Sequence, residues 1–249
     1  MKYLTFLVLL LVFSSLSYKF PNNPSISDEK GNPVSDTTYY FPLELFIDSI
    51  RFANTTEIKQ DTFSVRWFSQ DLWLSEEPVL SNYYLNRDIY RLTWLRSFHP
   101  AIILRIENSD GEVILIEKEM TLNEPRKELE QVPGNELTEE EKEQMTKGAG
   151  SLPEYQIEKA TIQSKVRKLT ISDWTNFEHL LDELNFGSMP TTRAWEFGTD
   201  GSEWILEQHK EDKYHVVNRW TPGKRQYSTF RKLGDFLIDK SSYKNEKRY

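Results

Sequence analysis

The densest group of side chains that could do chemistry lies between residues 200 and 222, in two β-favouring runs joined by a polar turn. The runs carry indole, imidazole and guanidinium groups, which are common anchors of binding surfaces. We therefore take four residues as a candidate binding surface: Trp204, His215, Arg219 and Trp220.

The pairing of these runs limits what they can do together. If Glu211 and Asp212 form a two-residue hairpin turn, Trp204 lies opposite Arg219 and Glu207 lies opposite Val216. Successive side chains point to opposite faces of a strand, so Glu207 is separated from both His215 and Arg219. The pattern argues against an acid–base cluster within the hairpin. It favours packing, with Arg219 stacked on the Trp204 ring, over recognition and still more over catalysis.

Other candidate motifs are weaker. His179 and Glu183 stand four residues apart, a spacing at which both could reach one metal ion, but a solvated pair on a helix surface explains them as well. Two S-x-x-K matches, at residues 27–30 and 241–244, fall at the ends of the chain, away from the rigid setting that a nucleophile needs. We assign no catalytic residue, no metal ligand and no cofactor from the sequence.

Composition excludes several classes of protein. The chain of 249 residues has no cysteine, which excludes disulfides, thiolate metal sites and a lipid-modified cysteine. Its formal net charge of −8 argues against nucleic acid as a partner. The abundance of Trp, Tyr and Phe favours a sheet-rich core.

Residues 1–17 form a typical secretory signal peptide. Lys2 precedes an apolar run that ends in the small residues Ser15 and Ser17, and the run is too short to span a bilayer as a helix. We expect an exported protein, periplasmic or extracellular, with no integral membrane span after cleavage.

The remaining chain divides by composition. We predict a flexible leader at 18–36, a β-rich half at 37–121, a charged linker or insertion at 122–153, a helix–hairpin–helix half at 154–243 and a charged tail at 244–249. Residues 39–52 and 62–74 fit strand and helix patterns alike; a helix is favoured for the second. Asp110-Gly111 predicts a hairpin turn within an antiparallel meander, and Ser172 is a plausible helix cap.

These elements predict an α+β fold, in which an antiparallel β-sheet, made of the meander and the C-terminal hairpin, packs with two amphipathic helices. The sequence does not decide whether the two halves share one sheet.

The hairpin also resembles a group of uncharacterised bacterial exported proteins with the C-terminal pattern D-G-x-x-W-x-L-E followed by Y-H-x-V-x-R-W-x-P. The match here begins at Asp200 and ends at Pro222. Earlier parts look similar too, including Trp67-Phe68-Ser69 and Phe98-His99-Pro100, so the resemblance spans most of residues 62–240. Gly187 departs from the group, whose members tend to have an aromatic residue there. The resemblance implies export and a shared fold, and no mechanism.

We therefore expect an exported, soluble, non-catalytic binding or interaction protein whose partner is an unknown protein or envelope ligand. The alternative is an exported hydrolase, metal-dependent or not, with a site assembled between the halves around a histidine: His99, His179, His209 or His215.

Overall fold

The fold was analysed in a computed structural model, which describes residues 18–52, 55–122, 160–192, 200–211, 213–223 and 227–248. The signal peptide and nearly all of the predicted insertion lie outside these residues. The strands are Tyr18–Lys19 (β1), Ile47–Phe52 (β2), Thr55–Gln60 (β3), Asp88–Arg96 (β4), Ala101–Ser109 (β5), Glu112–Leu122 (β6), Ala160–Lys168 (β7), Ser202–Lys210 (β8) and Lys213–Trp220 (β9). The helices are Thr62–Leu74 (α1), Ile171–Glu183 (α2) and Ser228–Lys240 (α3), with 3₁₀ turns at Leu43–Leu45 and Phe186–Ser188.

Seven strands form one antiparallel sheet in the order β1-β9-β8-β4-β5-β6-β7, while β2 and β3 form a separate hairpin. The predicted α+β class is confirmed. Because β8 pairs directly with β4, the two halves share one sheet, which answers the question that the sequence left open.

Local signals in the sequence explain most of these elements. The hairpin between β5 and β6 turns at Asp110-Gly111, both with positive φ, as predicted. Helix α1 confirms the helical interpretation of residues 62–74, and the Asp61 side chain caps it by accepting from the Ser64 N–H. The predicted cap Ser172 is wrong, since Thr170 caps α2 through a reciprocal capping box with Asp173.

The sheet is covered on both faces. One face carries Leu92, Leu206 and Val217 against α2 and α3. The opposite face carries Ile89, Ile103 and Ile205, and is covered by α1 and the N-terminal segment. Because β4 and β5 are buried on both of their faces, apolar residues run almost continuously through them.

The prediction of a flexible leader at 18–36 is not what the structure shows. Strand β1 pairs with β9, and the buried Asn82 side chain holds the segment by accepting from the Asn23 N–H and donating to the Ser27 hydroxyl. The Asn and Ser residues that suggested a flexible chain are the ones that make these specific hydrogen bonds. The charged tail is likewise held, through Glu246 on Arg96 and Arg248 on Asp235.

Helix α3 approaches the sheet closely at Gly234. A Cβ atom placed there would lie 2.3 Å from the Trp204 ring. We expect Gly234→Ala to destabilise the protein by about 1–3 kcal/mol through overpacking, although alanine normally favours a helix over glycine. Chemical denaturation measures the change. The matched control is Gly187→Ala, where a Cβ meets no atom within 4 Å; an equal loss in both variants would contradict the packing argument.

Candidate functional site

The centre of the sheet buries a pair of opposite charges on neighbouring strands. Arg91 on β4 lies directly across from Glu207 on β8, and both side chains are fully buried. The guanidinium donates from Nε at 2.6 Å and from Nη2 at 2.8 Å, one bond to each carboxylate oxygen. The Tyr214 hydroxyl donates to the same carboxylate at 2.9 Å. This two-point geometry is the strongest form of an arginine–carboxylate contact.

A second carboxylate reaches the pair from the loop after α1. Glu77 lies 3.3 Å from Arg91 Nη1, 2.9 Å from Arg105 Nη1 and 2.9 Å from Lys118 Nζ. Strands β4, β5 and β6 each supply one of these cations. Glu77 therefore ties the loop to three adjacent strands, and we call Glu77, Arg91, Arg105, Lys118 and Glu207 the buried ion cluster.

Opposite charges nearby keep Glu77 and Arg91 ionised despite their burial. Burial alone raises the pKa of Glu77, but Arg105, Arg91 and Lys118 outweigh it and keep that pKa below its usual value. Burial alone lowers the pKa of Arg91, and Glu207 and Glu77 reverse the effect. Burial next to Glu207 raises the pKa of the Tyr214 hydroxyl well above its ordinary value, so it remains a donor. Glu77 and Arg91 therefore both stay charged in the folded protein.

A groove of about 750 Å³ opens above one side of the cluster. Its volume lies in the range of small-molecule sites in proteins. Aromatic, apolar and charged side chains from the N-terminal segment, α1, the loop after it and β5 line the groove; they include Tyr40, Trp73, Glu77, Pro78, Arg87 and Arg105.

Two charges at this groove are available to a ligand. Arg87 has about a third of its side chain exposed and pairs with Glu107 through Nε at 3.0 Å. Glu76 is exposed at the same groove. Among the described residues, neither the terminal nitrogens of Arg87 nor the carboxylate of Glu76 has a hydrogen-bond partner. Trp73, 37% exposed, adds an aromatic surface.

A second groove, of about 500 Å³, lies beside Tyr18, Asn23, Thr38 and Tyr39. Several of its polar groups already bond to one another: Ser25 donates to Asn23 at 2.7 Å, and the Ser35 and Thr37 hydroxyls lie 2.8 Å apart. The groove beside the buried ion cluster is the stronger candidate because it is larger than the second groove and is lined by the exposed charges of Arg87 and Glu76.

The structure confirms the predicted strand pairing of the hairpin. It does not show Trp204 and Arg219 exposed, as a binding surface would require. Trp204 lies opposite Arg219, and Glu207 opposite Val216. Trp204 is 0% exposed and Arg219 is 2% exposed, so neither offers a surface to a partner.

Trp204 and Arg219 also have different neighbours from those predicted. Arg231 on α3 places its guanidinium 4.6 Å from the centre of the Trp204 ring. The Arg219 guanidinium lies 5.7 Å from the Tyr227 ring centre and donates to the carbonyl of Pro190 at 2.8 Å. Arg219 and Trp204 are therefore both packed inside the protein, but not in the predicted stack of one on the other. The remaining members of the candidate surface, His215 and Trp220, are half-buried.

The histidines of the hydrolase alternative lie at different places in the fold. His209 and His215 are on opposite faces of the sheet, the first against Phe20 and Tyr84, the second against Phe186. His179 and Glu183 are exposed on α2, and His99 lies in the exposed turn after β4. Within the described ranges, no three His, Asp or Glu side chains are grouped so that they could hold a metal ion.

Both ring nitrogens of His209 are occupied. Nδ1 donates to the Leu80 carbonyl at 2.7 Å, and Nε2 accepts from the Leu85 N–H at 3.0 Å. Burial lowers the pKa of His209 to about 4, with the charges of Arg87 and Arg91 acting in the same direction. His209 is therefore a neutral clamp that holds the loop between α1 and β4.

The buried ion cluster was not predicted from the sequence. Glu207 was placed on the correct face of its hairpin, but its partner Arg91 lies on a strand more than a hundred residues earlier. A signal was present, since Arg91 is the one charged residue between Ile89 and Leu95 in β4. A buried charge of this kind requires a partner, but only the pairing of β4 with β8 identifies it.

Comparisons with known proteins do not assign the chain to a family. No protein-family model matches the chain, and a search of curated proteins finds no match. In the part of the chain that the structure describes, no helix is both long enough and apolar enough to cross a membrane.

Proposed function

We propose that the chain is an exported, non-catalytic binding protein that holds a small ligand with an oxyanion group, a carboxylate or a phosphate, in the groove beside the buried ion cluster. The observation that carries the proposal is the pair formed by Arg87 and Trp73 at one groove. An exposed guanidinium edge matches an oxyanion, and a partly exposed indole matches the apolar part of the same ligand.

The paired state of the cluster supports binding over catalysis. A general acid or base needs a pKa near the working pH and access to the substrate. Cations hold Glu77 ionised, and Glu77 and Glu207 are both buried, so they shape the floor of the groove and keep Arg91 and Arg105 in place. Arg87 is the more exposed of the two arginines that line the groove, with 36% of its side chain accessible against 10% for Arg105.

Arg87→Met tests the site. We expect citrate, glutamate or inorganic phosphate, used as probes, to raise the melting temperature of the parent protein, because a ligand that binds only the folded state stabilises it. The variant should lose the shift while keeping most of its stability, because a partly exposed ion pair contributes about 1 kcal/mol or less. Thermal unfolding with and without each probe measures both quantities.

Lys168→Met is the matched control, since Lys168 is an exposed cation paired with Glu112 on β6 and lies outside the groove lining. It should respond to the probes as the parent does. Equal shifts in Arg87→Met and the parent would show that the probes act elsewhere, and no shift with any probe in the parent would count against an oxyanion site. Glu76→Gln reports the ligand's charge: binding strengthens for a pure anion and weakens for a ligand that also carries an ammonium group.

A further inference from the structure

The two ends of the sheet are different. At one end the edge strand β1 has only two residues. At the other end β7 has nine, and within the described ranges it pairs on one side alone, with β6. A long open edge presents a row of unpaired backbone groups and is a template for another strand, whereas a short edge strand is a common form of protection.

The backbone groups that point outward from β7 follow from one hydrogen bond. The N–H of Leu169 donates to the Val113 carbonyl on β6 at 3.0 Å. Residues that exchange hydrogen bonds with an antiparallel neighbour alternate along a strand, so the odd-numbered residues of β7 bond to β6. The even-numbered residues, from Ala160 to Lys168, therefore direct their N–H and C=O groups away from the sheet.

We propose that two copies of the chain associate through their β7 strands, antiparallel and about a two-fold axis at Ser164. In this register Ser164 faces itself, Ile162 faces Val166 of the second copy, and Ala160 faces Lys168. All five outward-directed residues are then in bonded pairs, and the two seven-stranded sheets become one continuous sheet. A two-fold axis is the commonest symmetry of protein dimers.

The side chains suit this register. Val166 is 62% exposed on the open edge, and the dimer pairs it with the β-branched Ile162 on the same face. On the other face, Lys165 lies opposite Gln163 and Arg167 lies opposite Thr161, so cations meet neutral polar groups. Moving the axis to residue 165 would place Lys165 against itself, which like-charge repulsion disfavours.

Lysine on an edge strand often blocks association with another strand. The cations of β7, however, already have partners within the same chain. Arg167 is paired with Glu117 through Nε at 3.1 Å, and Lys168 with Glu112 at 3.0 Å. Lys165 donates to the Ser242 hydroxyl. Two of the three cations are therefore neutralised by carboxylates on β6, and β7 contains no proline or glycine that would interrupt pairing.

Sedimentation of the full mature chain over a concentration series tests the proposal. We expect a monomer–dimer equilibrium that shifts to dimer as concentration rises, because one strand pair is a small interface. Val166→Lys should abolish the dimer by placing a charge against Ile162 of the second copy. Ile171→Lys is the control: Ile171 is 54% exposed, lies outside β7, and takes the same change of charge without loss of the dimer. A monomer at every concentration, or an unchanged dimer in Val166→Lys, would overturn the proposal.

Cross-linking tests the register separately. The chain has no cysteine, so one introduced thiol is unique. In Ser164→Cys the two thiols lie on strand positions about 5.5 Å apart, and a short bis-maleimide should link the copies. In Thr161→Cys the equivalent positions are six residues apart along the strand, about 20 Å, and should not be linked. Equal yields from the two variants would refute the axis at Ser164.

Discussion

Replacing Arg91 with alanine is expected to destabilise the protein by about 3–5 kcal/mol, because it leaves Glu207 buried without a cation. Arg91 is the only described cation paired with Glu207, whereas Glu77 also has Arg105 and Lys118. The loss should therefore be greatest at the β4–β8 pair. Urea denaturation measures it as a lower midpoint with an unchanged slope.

Two further variants test whether the loss in Arg91→Ala comes from the unpaired Glu207 carboxylate. Lys168→Ala removes a fully solvated ion pair and should change the stability by less than about 1 kcal/mol. The double variant Arg91→Met with Glu207→Leu removes both charges and should recover much of the loss, since apolar residues of similar size can replace a buried ion pair. If the double variant were no more stable than Arg91→Ala, the penalty would come from lost packing and not from an unpaired carboxylate.

Acid should destabilise the protein through His209. The folded-state pKa of His209 is about 4 against an ordinary value of 6.5, so the unfolded chain binds the proton more readily. The stabilisation from neutral His209 is fully present above pH 6.5 and is lost as the pH falls from 6.5 through 4. The difference amounts to about 3 kcal/mol for this one group. His215, whose pKa burial also lowers to about 4, adds a loss over the same range.

Free energies of unfolding measured from pH 7 to pH 4 check this prediction. His209→Gln removes the titrating group and should flatten the decline, although it starts from a lower stability because the clamp on Leu80 and Leu85 is altered. His179→Gln, at an exposed position, should keep the parent's decline. A decline of the same steepness in His209→Gln would show that other groups cause it.

Local patterns in the sequence predicted local structure well. Asp110-Gly111 predicted one hairpin, and the two runs on either side of Glu211 predicted another with Trp204 opposite Arg219, because turn chemistry and strand alternation act over a few residues. Residues 18–36 were misinterpreted because their order depends on Asn82, which is distant in sequence.

Local patterns of this kind could not predict the candidate site. Its charges come from β4, β5, β6, β8 and the loop after α1, and no spacing along the chain relates Arg91 to Glu207. Burial was also misjudged for Trp204 and Arg219, because α3 covers them and its packing against the hairpin depends on the small size of Gly234. The alternation of the strand showed which residues share a face, but not what covers that face.

The place of β8 between β4 and β9 sets a limit on the order of folding. The meander of β4, β5 and β6 can form early, since its strands are adjacent in the chain. Until residue 207 has been made, however, Arg91 lacks its ion-pair partner Glu207. Pairing across so long a separation is slow compared with local hairpin formation. The sheet can therefore be completed only once β8 is available, and under the proposed export its centre would stay unpaired until most of the chain had crossed the membrane.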